Sequence, residues 1–420
     1  MHPTALLDLT TDLVRQVLRL DAPADVIVSG FFRKHRDLGS RERHALAETT
    51  YTVLRQRLLL AHLAQSGSGA LERRLAILAW QGSEANLRSA TGSTEQQWLA
   101  QVKAIDRGSL ADKLRHNLPD WLAGVLHTEL GEEFWPLVQA LEQQAALDLR
   151  VNTLKAKREE VREALLAAGI EAELTPYSPW GLRIHGKPAL QKLPLFVQGH
   201  VEVQDEGSQL LAALLAPKRG EMVVDFCAGA GGKTLALGAQ MRNTGRLYAF
   251  DVSGHRLEAL KPRLARSGLS NVYPAQIAHE RDDRVKRLTG KIDRVLVDAP
   301  CSGLGTLRRN PDLKWRQSPK AVEELVAKQT AILASAARLL KPGGRLVYAT
   351  CSLLRRENEA VAEAFGTAHA DFRPLPAADT LAAAQVARVA ELDRDGFLRL
   401  WPHRHGTDGF FAAAWQRADT

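Results

Sequence analysis

Cysteine is scarce in this chain: three occur in 420 residues, at positions 227, 301 and 351. So small and odd a number excludes a disulfide framework as the organising principle of the fold. The three form no CxxC pair and have no nearby histidine, which excludes a zinc site of the usual spacing, and no metal is expected. Long apolar runs are missing as well. No stretch reaches the ~18 apolar residues that span a bilayer. The opening "MHPTALLDLTTDL" lacks the basic start and apolar core of a secretory signal. A cytoplasmic protein with no membrane contact is therefore expected. No repeat of solenoid period is found, and with nothing calling for an obligate dimer, a monomer is expected.

What is present is an ordinary globular composition, 45% hydrophobic and 25% charged. The length suffices for two or three domains with sizeable cores. Lys and Arg number 56 against 48 Asp and Glu, a net charge of +8. That balance permits a polyanionic partner without demanding one.

Three domains are read along the chain. Residues 1–145 are helical: "ALLDLTTDLVRQVLRL" sets Leu6, Leu9, Leu13, Val17 and Leu20 near one face. "SRERHALAETTYTVLRQRLLLAHLAQ" repeats the pattern, with Ser40 and Glu42 predicting a capped start, and "QSGSGA" breaks it. Residues 146–205 turn to strand, helix, strand, as a small α/β segment with its helix ended by Gly169. Residues 206–420 alternate short apolar runs with helical stretches, which predicts a doubly wound, mostly parallel sheet. The end, "FLRLWPHRHGTDGFFAAAWQR", is expected to be an antiparallel pair closing one edge.

"VVDFCAGAGGKTLALGA" is a strand, a glycine-rich turn and a helix. A P-loop requires GxxxxGK[ST]; Gly232-Lys233-Thr234 supplies its end, but Cys227 stands where its first glycine belongs. Gly229, Gly231 and Gly232 also miss the GxGxxG spacing of a dinucleotide site. A class I (Rossmann-like) S-adenosylmethionine loop remains. Its first strand would end in Asp225 and its second in Asp251, which follows by 26 positions, near the ~20 usual for a ribose-binding acid. Asp251 can equally be read as a cap for the helix beginning near Ser253.

All three cysteines border a glycine-rich or strand-ending motif, which buried structural cysteine explains poorly for the set. "RVLVDAPCSG" puts Asp298 and Cys301 past one strand, and "RLVYATCS" puts Cys351 past the next. The helix between makes the strands neighbours, so both thiols should face one pocket at the carboxyl ends of the strands. Methylation at C5 of a cytosine has use for two thiols. A thiolate adding to C6 makes C5 nucleophilic, and a second group then assists release once the C5 proton is removed. The base must be unpaired or flipped out to reach such a pocket.

"DFCAGAGGKT", "DAPCSGLGTLRRNPDLKWR" and "YATCSLLRRENEA" resemble the signature motifs of the RNA 5-methylcytosine methyltransferases of the Nol/Nop/Sun family. They are most similar to the Sun/Fmu (RsmB-type) enzymes of small-subunit ribosomal RNA. "LRVNTL", "VQDEGSQLLAALLAP" and "DGFF" resemble flanking segments of that family, and residues 1–145 resemble its NusB-like RNA-binding domain. The resemblance implies Cys351 as nucleophile, Cys301 as the thiol that helps release product, and Asp298 as an acid on the ring or the donor. It implies S-adenosylmethionine contacts at Asp225, Cys227, Ala228, Gly229, Ala230, Gly231, Gly232, Lys233, Asp251 and Asp298. Arg150, Asn152, Arg308, Arg309, Lys314 and Trp315 are candidate RNA contacts; the last four also read as a solvated basic face.

Two departures accompany the likeness. Ala230 replaces the proline of the family's APGGK loop, and Ala278 and His279 stand where an acid near the adenine is expected. Asp282 or Asp283 is the substitute at hand, or the backbone alone. The RNA partner is expected to be ribosomal, with transfer RNA as the alternative. A DNA enzyme would need a Glu-Asn-Val segment that is not found, and a non-catalytic RNA-binding or assembly factor would not need both thiols.

Overall fold

A computed structural model describes residues 1–186 and 188–419. The chain separates into two compact units: residues 1–144 with 306–318, and residues 145–305 with 319–420.

The first unit is helical. Its opening helix, Pro3–Leu18, is buried on two sides. Leu6, Leu13 and Val17 pack with Phe31, Leu46 and Leu54, whereas Leu7 and Val14 pack with Val53, Leu60 and Leu75. Between those stripes Thr10 and Thr11 are buried, each hydroxyl donating to the carbonyl four residues back, at 2.7 and 2.8 Å, so no polar group is stranded. The predicted second helix divides into Ser40–Arg55 and Arg57–Leu63. Its cap also shifts. Gly39 is the N-cap, and Glu42 reaches back to accept its N–H at 2.7 Å. A carboxylate three residues into a helix does this without a capping side chain.

The second unit holds two sheets. Strands β1 (Leu147–Val151), β2 (Ala172–Leu174), β3 (Gly181–Ile184) and β4 (Val201–Val203) make a small antiparallel sheet in the order β2-β3-β1-β4. The helix Arg158–Ala167 covers it through Val161 and Leu165. The larger sheet begins with β5 (Met222–Asp225), β6 (Arg246–Asp251), β7 (Val272–Gln276), β8 (Ile292–Asp298) and β9 (Leu340–Thr350). These run parallel in the order β7-β6-β5-β8-β9. Then come β10 (Phe372–Leu375), β11 (Asp393–Arg394), β12 (Phe397–Leu400) and β13 (Phe410–Arg417). β13 pairs antiparallel with β9, with β12 beyond it and β11 outermost, while β10 pairs the far end of β13. The terminal pair thus extends the sheet, and a short hairpin strand forms its edge.

The inner parallel strands β5, β8 and β9 are apolar through their centres because both faces are covered, while the edge strand β7 leaves Tyr273 exposed. Val223, Leu247, Leu296 and Val347 point to the helices Glu206–Leu215 and Gly232–Gln240. Val224, Phe250, Val297 and Tyr348 point to Pro319–Ala337 and Glu359–Ala368. Among the described residues no helix is long and apolar enough to cross a membrane.

Candidate active site

The carboxyl ends of β5, β6, β8 and β9 converge, as crevices at such ends do in open α/β sheets. After β5 the chain turns through Gly229, at φ +55°, and Gly231, at φ +82°, before the helix that begins at Gly232. A Cβ on Gly231 would stand 2.1 Å from Leu260 Cδ1, so both space and backbone require glycine there. Asp251 secures this turn: its carboxylate accepts from Gly229 N at 2.8 Å and from Ser253 N at 2.7 Å. The helix cap is Ser253 itself.

Asp225 is fully buried and accepts a 2.7 Å hydrogen bond from Thr234 Oγ1, while its Oδ1 has no partner. Burial pushes its pKa up to about 7, against the Thr234 bond, with Asp298 and Asp251 adding to the rise. Lys233 and Asp298 form a 2.7 Å ion pair. Burial pulls the Lys233 ammonium down, but Asp298 outweighs it and holds the pKa above its ordinary value, with Cys351 contributing in the same sense. The ring of Phe410, from the "DGFF" segment, lies 5.9 Å from Lys233 Nζ.

Asp298 and Ala349 are paired across β8 and β9, and just beyond them the two thiols meet: Cys301 Sγ and Cys351 Sγ are 3.3 Å apart. The loop between them is locked by backbone. Gly305 N donates to Cys351 O and Gly409 N donates to Gly305 O, both at 2.8 Å. A Cβ on Gly305 would lie 2.1 Å from Gly409 O, so the contact needs glycine. The hydrogen bond to Cys351, burial and the nearby Glu357 push the Cys301 thiol well above its ordinary pKa. Burial and the three aspartates do the same to Cys227. Both therefore favour the protonated form.

Glu357 escaped the sequence reading although its motif was quoted. It is fully buried, and its carboxylate accepts from Ser302 N, Ser302 Oγ, Gln329 Nε2 and Ser352 Oγ. An "ENE" after a cysteine strand was the available signal; nothing local shows that its partners are brought from as far as 55 residues away.

At the end of β7, a cleft of about 520 Å³ is lined by Pro274, Ile277, Ala278, Asp282 and Arg284. Asp282, which caps the turn, accepts from Ala278 N at 2.8 Å. Asp283 instead is exposed and pairs with Lys286 at 3.1 Å.

The proposed RNA contacts are placed differently from the expectation. Arg150 is buried and donates to Gln204 Oε1 at 2.7 Å; Asn152 is buried and donates to Gly199 O and Ser267 O at 3.0 and 2.9 Å. Both hold the small sheet to its own unit. Arg308, Arg309, Lys314 and Trp315 lie in the stretch that packs within the helical unit. Arg308 is buried there and Arg309 half-buried. Lys314 donates to Arg55 O at 2.8 Å and Trp315 Nε1 to Leu54 O at 2.7 Å, closing the end of the helix Ser40–Arg55. Lys314 and Trp315 thus pack internally rather than on a solvated basic face. Among the described residues no group of side chains could hold a metal ion.

A profile of the 16S rRNA methyltransferase RsmB/F family matches residues 212–416, and one for the ferredoxin-like domain of RsmF/B-like methyltransferases matches residues 118–191. The chain is similar to the probable ribosomal RNA small subunit methyltransferase B of Synechocystis sp., with 38% identity over 75% of this chain and 70% of that one. For the protein of the same description from Bacillus subtilis the identity is 37%, over 64% of this chain and 59% of the relative. Among solved structures, PH0851 is similar at 27% identity and a TM-score of 0.81, with 99% of each chain covered.

Proposed function

The chain belongs to the 16S rRNA methyltransferase RsmB/F family, and on that premise we propose that it methylates C5 of an unpaired cytosine in ribosomal RNA through a covalent bond from Cys351 to C6. The observation that carries this reading is the pair of thiols in contact at the ends of adjacent parallel strands, beside a glycine turn. No disulfide is needed there, and a single-thiol chemistry would leave Cys301 unused.

The turn fits S-adenosylmethionine. A Cβ added at Gly229 would meet nothing within 4 Å, so the turn leaves open space for a ligand to approach the backbone, with the Asp251 and Asp298 carboxylates close by. Gly229 to Lys233 and Asp251 would hold this donor, with Asp282 at the adenine end. When bound, it supplies an electrophilic methyl group. The chain's own residues do the rest. Cys351, beside the Lys233 ammonium, adds as thiolate to C6, and C5 becomes enamine-like. Asp298 stands by to hold the ring. After C5 has gained its methyl, a base removes the C5 proton, the C6–S bond breaks, and Cys301 assists release. By the same family likeness, the helical unit is proposed to be an NusB-like RNA-binding domain.

The test is denaturing electrophoresis of wild type, Cys301→Ala and Cys351→Ala after incubation with S-adenosylmethionine and ribosomal RNA. Cys301→Ala should accumulate a protein–RNA band that Cys351→Ala cannot form. A band trapped by Cys351→Ala would exchange the two roles, and no band in any variant would remove the covalent route.

A further inference from the structure

We propose that Glu357 is a positioning residue for the two-thiol reaction: its buried carboxylate ties the turn carrying Cys301 to the turn carrying Cys351, and places an anion beside one sulfur while a cation serves the other. The catalytic part rests on the cytosine reading above; the geometric part does not.

Ser302 and Ser352 each follow a cysteine directly. Ser302 gives Glu357 both its backbone N–H, at 2.8 Å, and its hydroxyl, at 2.5 Å. Ser352 gives its hydroxyl, and the two serine oxygens are 3.1 Å apart. Gln329, from the helix Pro319–Ala337, donates to Glu357 Oε1 and to Pro300 O, both at 3.0 Å, so the peptide just before Cys301 is held as well. Tyr348 Oη donates to the Glu357 carbonyl at 2.5 Å. Next door, Asn358 donates to Ser352 O at 3.0 Å and accepts from Thr350 Oγ1.

A carboxylate with no exposure and no cation in contact is costly unless hydrogen bonds saturate it. Here they do, and the donors come from both thiol turns. An apolar residue would fill the space with less penalty, but it could not join the two loops.

The charge matters as well as the shape. Among the described residues Cys301 interacts electrostatically with Cys351, Glu357 and Tyr348, and Cys351 interacts with the Lys233 ammonium. Arg355 and Arg356, on Glu357's own turn, are exposed and pair with Glu363 and Glu323. Glu357 therefore adds to the Cys351 hydrogen bond and to burial in keeping Cys301 a thiol, while the Lys233 ammonium acts on the Cys351 side. A nucleophile and its helper in contact need such inequality; two equal thiols would share one proton between them.

The experiment is the pH dependence of alkylation of each cysteine by iodoacetamide, read by mass spectrometry, for the full chain and for Glu357→Gln and Glu357→Ala. In Glu357→Gln the side-chain shape persists and the charge goes. Cys301 alkylation at pH 8 should then rise about tenfold, a one-unit fall in its midpoint, with Cys351 changed less than about twofold. The same variant should lower kcat for RNA methylation by roughly tenfold with KM little changed, as loss of an interaction that acts after binding does. Glu357→Ala should lower kcat further and make both thiols more accessible to the reagent. An unmoved Cys301 midpoint in Glu357→Gln would overturn the electrostatic role, and an unchanged kcat in both variants would overturn the positioning role. Because alkylation needs no RNA, failure of the cytosine reading would leave that first result intact.

Discussion

Lys233 is half-buried and Lys314 fully buried, and both lie in motifs that the sequence marks as functional, yet their partners are opposite in kind. Lys233 meets a carboxylate at 2.7 Å and keeps its charge above the ordinary lysine range. Lys314 meets the Arg55 carbonyl and the Trp315 ring; burial, opposed by Glu142 and reinforced by Arg55, takes it from 10.5 down to about 7. One lysine is a maintained cation in a site of aspartates. The other is an amine close to neutrality in a helical core. Burial alone does not define a working lysine; what it is buried against does.

The sharpest way to break the contrast is Asp298→Asn, which gives Lys233 a neutral partner and removes the acid proposed to hold the ring. Methyl transfer should fall by about 100-fold or more, the scale of a lost acid–base partner, measured by incorporation of labelled methyl into RNA. Unchanged turnover would show that the ion pair is structural only. Smaller, and in the other unit, is Lys314→Met. With the folded pKa depressed, the folded state binds fewer protons than the unfolded one between about pH 7 and 10.5. Stability of the helical unit should therefore rise with pH across that window. Lys314→Met should flatten that slope, read from the amide protection of the helix Ser40–Arg55 across about pH 7 to 10. Protection that keeps its pH slope would assign the slope to another group. Smallest is Thr234→Val, which strips Asp225 of its donor. It should cost about 1 kcal/mol and steepen the loss of stability between pH 3.8 and about 7, where the raised Asp225 pKa makes the folded state bind more protons than the unfolded. Chemical denaturation across that range measures it.

Much of the catalytic half was legible because it depends on local order. Apolar runs ending in Asp-Ala-Pro-Cys and Ala-Thr-Cys, with one helix between, fix β8 and β9 as parallel neighbours, and the thiols follow from that register. Gly231 was legible for the same reason: it serves the turn next to its own strand. What stayed hidden is non-local. Glu357 works through residues brought from another loop and another helix, and the two glutamates of "RRENEA" carry no sign of them. The packing of "LRRNPDLKWR" was not legible because a run of cations and a tryptophan has the same composition whether it faces solvent or plugs a helix end. Only the packing, with Trp315 set against Leu54 and Arg57, separates the two cases. The capped start at Ser40 moved by one residue because a glutamate's reach, not a serine's hydroxyl, satisfies that helix.

The insertion of residues 306–318 into the helical unit has a consequence in time as well as in space. Chains emerge from the ribosome amino end first, and domains generally fold as they appear. Residues 1–144 leave synthesis early but lack the Trp315 ring and the Lys314 amine that close their second helical cluster. The unit that begins first is thus finished only once residue 318 has been made, well after the cradle strands β5 to β8 are out. The biosynthetic order of the two units is interleaved, and a cut after residue 144 would yield not a domain but a domain with a missing stave.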